Sequence, residues 1–207
     1  MSTSTAPATV AIVYHSGYGH TERQAQAVAD GARSVDGTAV HLLRVDDLQD
    51  PWRLLEGADA IIFGAPTYMG SASAGFKAFM EATSPAAYAK ALWKDKIAAG
   101  FTNSASRSGD KVSTLQQLAI FAAQHGMHWV NLGLQPGHSL SSSTEDSLNR
   151  HGFFLGAAAQ SNGDEGPDVA PPQADLRTAH HLGRRVALVA RQMRAGGEEL
   201  RRSAIAD

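Results

Sequence analysis

Short apolar runs alternate with longer amphipathic segments along most of the chain. Runs that are β-branched or apolar, and too short for buried helices, predict strands at 9–14, 39–45, 60–64, 96–102 and 128–132. Apolar residues spaced three and four apart predict helices at 21–34, 75–83, 111–125 and 173–194, with a short helix or turn at 51–55. This alternation predicts an α/β protein with a doubly wound, five-stranded parallel sheet in the order 2-1-3-4-5.

Local signals set several boundaries in this pattern. Thr21 and Gln24 fit a capping box at the start of the first helix. Pro66 cannot donate a ladder hydrogen bond, so we expect it to end the third strand. We expect one domain over 9–195, a disordered N-terminus at 1–8 and a flexible C-terminus at 196–207.

The regular pattern stops between residues 136 and 172. Gly, Ser, Asp, Asn and Pro dominate there, apart from a short apolar stretch at 153–159. Long connections with little regular structure are usually functional or disordered. We therefore interpret 136–172 as a long loop insertion within the domain.

Composition excludes several classes of protein. The chain has 207 residues, 43% of them hydrophobic, which suits one globular domain. A net charge of −2 gives no basic footprint for nucleic acid, and the absence of Cys excludes disulfides and thiol chemistry. The first nine residues do not resemble a signal peptide, and no apolar run approaches a membrane span, so we expect a cytoplasmic protein. Nine histidines without His-x-x-x-His spacing do not predict a metal site.

The segment between the first strand and the first helix carries the best functional signal. Two glycines permit turns that expose backbone N–H groups, two hydroxyls add donors, and the helix directs its positive end inward. This design favours phosphate binding, although a capped strand–helix turn is the alternative. The predicted phosphate-binding residues are Ser16, Gly17, Tyr18, Gly19, His20 and Thr21.

Two further loops follow predicted strands and share the same edge of the sheet. After the third strand, a rigid turn with an aromatic residue comprises Pro66, Thr67, Tyr68, Met69 and Gly70. After the fourth strand, small polar residues comprise Thr102, Asn103, Ser104, Ala105, Ser106, Ser108 and Gly109. Each loop alone could be an ordinary turn or a solvated loop. Three such loops on one rim favour a shared ligand site for a planar molecule that carries a phosphate.

Other nucleotide and catalytic motifs are absent. The chain has no G-x-x-x-x-G-K-[ST] loop and no G-x-G-x-x-G fingerprint, which argues against Walker-type and dinucleotide sites. It also lacks the G-x-S-x-G elbow of α/β-hydrolases. Tyr14 and His15 end the first strand, where a phospho-acceptor receiver domain needs acidic residues.

In combination, these segments resemble the flavodoxin-like NAD(P)H:quinone oxidoreductases of the WrbA type. The matching motifs are Ser16-x-Tyr18-Gly19-His20, Pro66-Thr67-x-x-Gly70 and His125-Gly126-Met127. The resemblance implies that 16–21 hold the phosphate of FMN, 67–69 the edge of its ring, and 103–109 the ring and ribityl chain. Tyr68-Met69 and the length of the insertion depart from the family pattern.

The resemblance also implies an activity and an assembly. We expect FMN-dependent reduction of quinones by NADH or NADPH, in a homo-oligomer that is a dimer or a tetramer. His125, from the same rim or a neighbouring subunit, is the candidate hydrogen-bond donor to the substrate oxygen; a histidine that merely suits a helix C-terminus is the alternative. The rival function is a flavodoxin-like electron carrier without its own substrate. A third possibility is a flavin-free or regulatory protein.

Overall fold

The computed structural model describes residues 6–206, with side chains described as far as residue 197. The strands in this part of the chain are β1 (Ala8–Tyr14), β2 (Thr38–Arg44), β3 (Ala60–Tyr68), β4 (Ser71–Ala72), β5 (Ile97–Ser104), β6 (His128–Trp129) and β7 (Ala157–Gln160). The α-helices are α1 (His20–Arg33), α2 (Trp52–Gly57), α3 (Ala74–Ala86), α4 (Lys111–Gln124) and α5 (Gln173–Ala206). Short 3₁₀ helices lie at Val45–Asp47 and Tyr88–Lys90.

The strands form a parallel sheet in the order β2-β1-β3-β5-β6. When the short hairpin strand β4 is left out of the count, this is the order 2-1-3-4-5, so the predicted doubly wound fold is confirmed. Strand β4 pairs antiparallel with the end of β3. The order reverses between β1 and β3, which creates the switch point at which ligands bind in such sheets.

The fifth strand position is filled by two separate segments. Strand β6 pairs with Ile97 and Ala98 at the start of β5, whereas β7 pairs with β5 from Phe101 to Ser104. The predicted strand at 128–132 is therefore regular only over its first two residues, and half of the edge comes from the region interpreted as an insertion. Three alanines in β7 carry little β-propensity, which explains why the sequence pattern did not mark a strand there.

Helices cover both faces of the sheet. Helices α1 and α5 pack on one face with Val28, Leu182 and Val186 buried, and α3 and α4 pack on the other face with Phe76 and Leu118. The α1–α5 crossing is very close. A Cβ atom at Gly31 would lie 1.9 Å from the carbonyl oxygen of His180, and one at Gly183 would lie 1.9 Å from that of Val28.

The start of α1 differs from the predicted capping box. Gly19, with φ +86°, is the N-cap residue, and no side chain caps the helix from that position. The Ser16 hydroxyl accepts the Glu22 N–H at 3.2 Å instead. The Gln24 amide is buried and donates to the Ala157 carbonyl of β7. The capping-box prediction was therefore wrong, because Gln24 is needed inside the core.

Pro66 lies inside β3 rather than ending it. The Gly64 carbonyl accepts a hydrogen bond from His15 at the end of β1. Alternate residues of a strand direct their backbone groups to the same side, so Pro66 faces the region beyond the last residue of β1. The missing N–H therefore removes no ladder bond.

Two helices differ from the expected pattern in detail. In α4 the apolar Val112 is 46% exposed, whereas the polar residues Lys111 and Thr114 are buried. Helix α5 continues to Ala206, through most of the segment expected to be a flexible tail. Strand β1 begins at Ala8, and residues 1–5 of the predicted disordered N-terminus lie outside the described residues. None of the helices within 6–206 has an apolar stretch long enough to cross a bilayer.

Candidate functional site

A cleft of about 640 Å³ opens at the carboxyl ends of β1, β3, β5 and β7. Four loops supply its walls, one after each of these strands. The lining residues are Ser16, Tyr18, His20, Thr21, Pro66, Thr67, Tyr68, Met69, Asn103, Ser104, Ala105, Ser161, Gly163, Glu165 and Gly166. Three of the four loops are those that the sequence predicted on one rim.

The loop before α1 presents free hydrogen-bond donors to this cleft. The backbone N–H groups of Tyr18, Gly19, His20 and Thr21 have no acceptor in the described part of the chain. The Thr21 side chain is almost fully buried at the cleft wall, and its hydroxyl adds a donor to this group. A helix of 14 residues begins here, so its positive end adds to the field of these donors. The arrangement suits a phosphate group.

Glycine is required within this loop for two physical reasons. Gly19 has φ +86°, in the left-handed region that costs other residues about 1–2 kcal/mol. A Cβ atom at Gly17 would lie 2.6 Å from the Tyr68 hydroxyl oxygen. Neither Gly17 nor Gly19 is among the residues that line the cleft, so both act by shaping the backbone.

Arg44, at the end of the neighbouring strand β2, holds this loop from behind. Its Nη2 donates to the Ser16 carbonyl at 3.0 Å. The same guanidinium pairs with Glu22 at 3.4 Å and with Asp46 at 3.0 Å. The hydrogen bond from Arg44 to the Ser16 carbonyl fixes the loop without using the backbone N–H groups of Tyr18 to Thr21.

A tight hairpin between β3 and β4 forms the second wall. Met69 and Gly70 have φ values of +49° and +78°, as both central residues of a type I′ turn require. The turn leaves Met69 fully exposed and sets Tyr68 against Tyr18, with ring centroids 6.2 Å apart in an edge-to-face arrangement. Burial is the main cause of a raised Tyr68 pKa. Two aromatic rings therefore stand at the mouth of the cleft.

Buried hydroxyl groups support the floor behind this hairpin. The Thr67 hydroxyl lies 2.8 Å from the hydroxyls of both Thr102 and Thr114. Thr102 also donates to the Ala65 carbonyl at 2.7 Å. Thr102 is thus placed behind the cleft wall, and only Thr67 of this group lines the cleft.

The loop after β5 reaches the cleft through its first residues only. Asn103, Ser104 and Ala105 line the cleft, whereas Ser106, Ser108 and Gly109 do not. The loop closes on itself, because Ser104 donates to the Ser106 carbonyl and a Cβ atom at Gly109 would lie 2.1 Å from the Ser104 hydroxyl oxygen. Gly70 likewise shapes its turn without lining the cleft.

The fourth wall of the cleft, which follows β7, was not predicted from the sequence. Ser161, Gly163, Glu165 and Gly166 line the cleft from within the region interpreted as an insertion. The Asn103 amide donates to the Ser161 hydroxyl at 2.9 Å, and His20 bonds the Glu165 carbonyl at 2.8 Å. A Gly-rich polar segment directly after the apolar stretch at 153–159 was the available signal, since it repeats the pattern of the other three loops.

His125 does not lie on the rim of the cleft within this chain. Helix α4 starts beside the cleft and runs back, so His125 at its end adjoins Gly126, whose carbonyl accepts the Asp95 N–H just before β5 begins. The prediction of the same rim is therefore wrong: the direction of the helix carries His125 to the opposite end of the sheet.

The surroundings of His125 are apolar. Its ring lies 4.4 Å from the Trp93 ring and 4.8 Å from the Phe121 ring, measured between centroids. Nε2 lies 3.0 Å from the Thr83 hydroxyl, and the buried Nδ1 has no partner in the described residues. Burial lowers the pKa of His125 to about 4, so the imidazole is neutral at physiological pH.

The residues present fit FMN. The donors at the α1 N-terminus suit a phosphate monoester, and the Tyr18 and Tyr68 rings flank a cleft large enough for a tricyclic ring system. Across the described residues, no three His, Asp or Glu side chains are grouped closely enough to hold a metal ion.

A doubly wound sheet whose cleft opens at the switch point, with a helix N-terminus directed into it, defines the flavodoxin-like class of α/β proteins. Solved structures agree with this class. A flavodoxin, WrbA-like protein from Agrobacterium tumefaciens shares 42% identity and a TM-score of 0.70, over 89% of this chain and 98% of the other. A flavodoxin from the domain Archaea shares the fold at a TM-score of 0.60 and 20% identity, over 88% of this chain and 99% of the other.

Sequence relatives narrow the class to a family. Flavodoxin FldP of Pseudomonas aeruginosa is 43% identical over 89% of this chain and 97% of its own length. An NAD(P)H dehydrogenase (quinone) of Aromatoleum aromaticum is 33% identical over 87% of this chain and 95% of its own length. The family model for NADPH-dependent FMN reductase matches residues 41–134. The chain belongs to the flavodoxin-like, WrbA-type family of oxidoreductases, as the sequence motifs predicted.

Proposed function

We propose that the cleft binds FMN, with its phosphate on the loop from Ser16 to Thr21. The observation that carries this proposal is the set of N–H groups without a protein acceptor at the start of α1, on a loop whose residues Tyr18, His20 and Thr21 line the cleft. The ring system would then lie between the β3–β4 hairpin and the loop that begins at Asn103. Ser161 and Gly163 extend the site toward the loop after β7.

We further propose that the protein catalyses the reduction of quinones by NADH or NADPH. Bound FMN would supply the redox chemistry, taking two electrons from the nicotinamide and giving them to the quinone. The side chains named above would orient the donor and the acceptor over one pocket and exclude water from it. Family membership and relatives named NAD(P)H dehydrogenase (quinone) support this activity.

Electron transfer to a protein partner is the second candidate function. Its support is the 43% identity to a protein named flavodoxin. A carrier that docks basic partners benefits from a strongly acidic surface, and the net charge of this chain is only −2. Charge therefore favours the enzyme over the carrier.

His125 enters this proposal as a residue that serves the cleft of a neighbouring copy. Since it lies at the far end of the sheet, it can meet a substrate oxygen only across an interface in a homo-oligomer. We expect sedimentation of the FMN-bound protein to show a species well above 21.8 kDa. Replacing His125 with Ala should slow reoxidation by quinone roughly tenfold, less than the loss of a fully preorganised donor. A monomer with full reductase activity would remove the shared site.

Stopped-flow absorbance separates the enzyme from the carrier. We expect NAD(P)H to bleach the flavin, and benzoquinone to reoxidise the reduced protein faster than it reoxidises free reduced FMN. Steady-state rates should give parallel double-reciprocal lines, because both substrates use one pocket. If the flavin binds but NAD(P)H never bleaches it, the enzyme proposal fails and the carrier takes its place.

A further inference from the structure

Lys111 is a lysine in an unusual position, at the start of α4 directly below the loop that follows β5. The residue is fully buried. Its Nζ donates to the carbonyl oxygens of Ser106 and Arg107, the latter at 2.9 Å. Across the described residues no carboxylate forms a salt bridge with it. The ammonium group of Lys111 therefore binds the backbone of one short loop.

These two bonds decide which way the loop presents its backbone. In a trans peptide the carbonyl of one residue and the N–H of the next point in opposite directions. Because the Ser106 and Arg107 carbonyls point inward to Nζ, the N–H groups of Arg107 and Ser108 point away from the buried ammonium. Neither N–H has an acceptor in the described part of the chain. The two bonds therefore fix the course of the loop whose first residues, Ser104 and Ala105, line the cleft.

The charge of Lys111 is balanced at a distance rather than in contact. Burial lowers its pKa to about 8, and the Asp175 carboxylate opposes this shift, while Arg150 reinforces it. At neutral pH the group remains mostly protonated. A buried cation therefore lies below a wall of the proposed flavin site.

We propose that Lys111 is a positioning residue for the cofactor, which fixes the loop from Ser104 to Gly109 so that its cleft residues Ser104 and Ala105 are held against the flavin ring. The inference rests on the proposed FMN site and adds to it the residue that shapes its second binding wall. The phosphate would be held by the α1 loop, and the ring by a loop that a buried lysine organises.

Lys96 provides a matched control at the other end of the sheet. Its Nζ also donates to two backbone carbonyls, those of Glu56 and Ala58, each at 2.6 Å. Burial lowers its pKa as well. Lys96 lies just before β5, far from the cleft, so the same substitution there removes the same kind of bond without touching the site.

Binding titrations of the apoprotein test the proposal, with FMN and with inorganic phosphate, which reports the α1 loop alone. We expect Lys111→Met to weaken FMN by about tenfold and leave phosphate unchanged, because the ring wall loses its organising donors. Lys111→Gln, which keeps neutral N–H donors, should lose less. Lys96→Met should change neither ligand. Circular dichroism checks that each variant is folded, and the Gln variant serves if the Met variant is not.

Amide hydrogen exchange of the ligand-free protein gives a second, independent readout. Peptides covering 104–110 should exchange faster in Lys111→Met than in wild type. Their exchange should be unchanged in Lys96→Met. If wild type binds FMN and Lys111→Met binds it within twofold of wild type, the role of Lys111 is wrong and the FMN site stands. If wild type binds no FMN, the proposed function fails. If, in addition, exchange at 104–110 is the same in Lys111→Met as in wild type, Lys111 does not order the loop.

Discussion

The two ends of the parallel sheet differ in whether their backbone polar groups are paired with groups of the same chain. At the amino end, the Lys96 ammonium caps the carbonyls of Glu56 and Ala58, and Asp59 accepts the Thr9 N–H at 2.8 Å. At the carboxyl end, N–H groups at the start of α1 and in the loop after β5 have no acceptor in the described residues. One end is closed by its own side chains, and the other leaves donors for a ligand.

The difference between the two ends indicates which polar groups mark a functional site in this fold. Buried polar groups occur at both ends, so burial alone does not locate a site. His125 is a buried titratable residue with a strongly lowered pKa, yet it lies at the opposite end of the sheet from the cleft of its own chain. The open end is distinguished by backbone donors that lack a protein acceptor on the loops around one cavity, where water or a ligand can satisfy them.

The largest effect should come from removing the hydroxyls at the open end. Replacing Ser16 and Thr21 together by Ala should weaken FMN by about 3–6 kcal/mol, since hydrogen bonds to charged groups contribute about 1.5–3 kcal/mol each. Fluorescence titration of the apoprotein measures this loss. The control removes the Ser106 and Ser108 hydroxyls, which do not line the cleft and should hardly matter. Equal affinity in the two double variants would refute the phosphate loop.

A comparable effect, on stability, is expected where the insertion meets α5. Arg150 donates to both oxygens of the buried Asp175 carboxylate, at 2.7 and 2.9 Å. Arg150→Met leaves that carboxylate without its main partner and should cost about 3–5 kcal/mol. Arg177→Met breaks a second link between the same two segments, to the exposed Asp146, and should cost at most about 1 kcal/mol. Urea denaturation measures both, and similar costs would contradict the distinction.

A smaller effect concerns acid stability at the closed end. Burial holds the folded-state pKa of His125 near 4, below the usual 6.5, so the unfolded chain takes up this proton first as the pH falls. Stability contributed by the neutral ring is complete above pH 6.5 and is lost as the pH falls toward 4. His125→Gln should flatten the dependence of unfolding free energy on pH in this window. His181, whose pKa burial also lowers, retains its own contribution in this variant. An unchanged slope would show that His125 does not titrate as described.

The smallest effect tests the hairpin at the open end. Met69 adopts a left-handed conformation with φ +49° and makes little contact with the rest of the chain. Met69→Gly should therefore stabilise the protein by about 0.5–1 kcal/mol, since strain is relieved but the unfolded chain gains entropy. Met69→Ala keeps the strain and is the matched control. Thermal denaturation decides between them, and no difference would mean that the turn carries no strain.

Periodicity predicted the sheet order and the rim of three loops because both depend on local patterns. Glycines at 17 and 19 and polar residues after strands are visible without any structure. The role of Lys111 could not be predicted, since a lysine at a helix start normally lies in solvent. The wall from Ser161 to Gly166 was missed because the alanine run of β7 carries no strand signal. The position of His125 depended on which way α4 runs relative to the cleft.

The split fifth strand has a consequence for how this chain could be shortened. Strands β6 and β7 each pair with β5, so the segment 130–156 between them contributes no strand to the sheet and looks dispensable. It is not, because that segment carries the guanidinium that neutralises Asp175, and the same carboxylate accepts the Gln160 N–H at the start of the cleft wall. A trimmed protein would need Asp175 replaced in the same step, by a residue that leaves no charge behind. The length of the segment 130–156 and the charge at position 175 can therefore only be changed together.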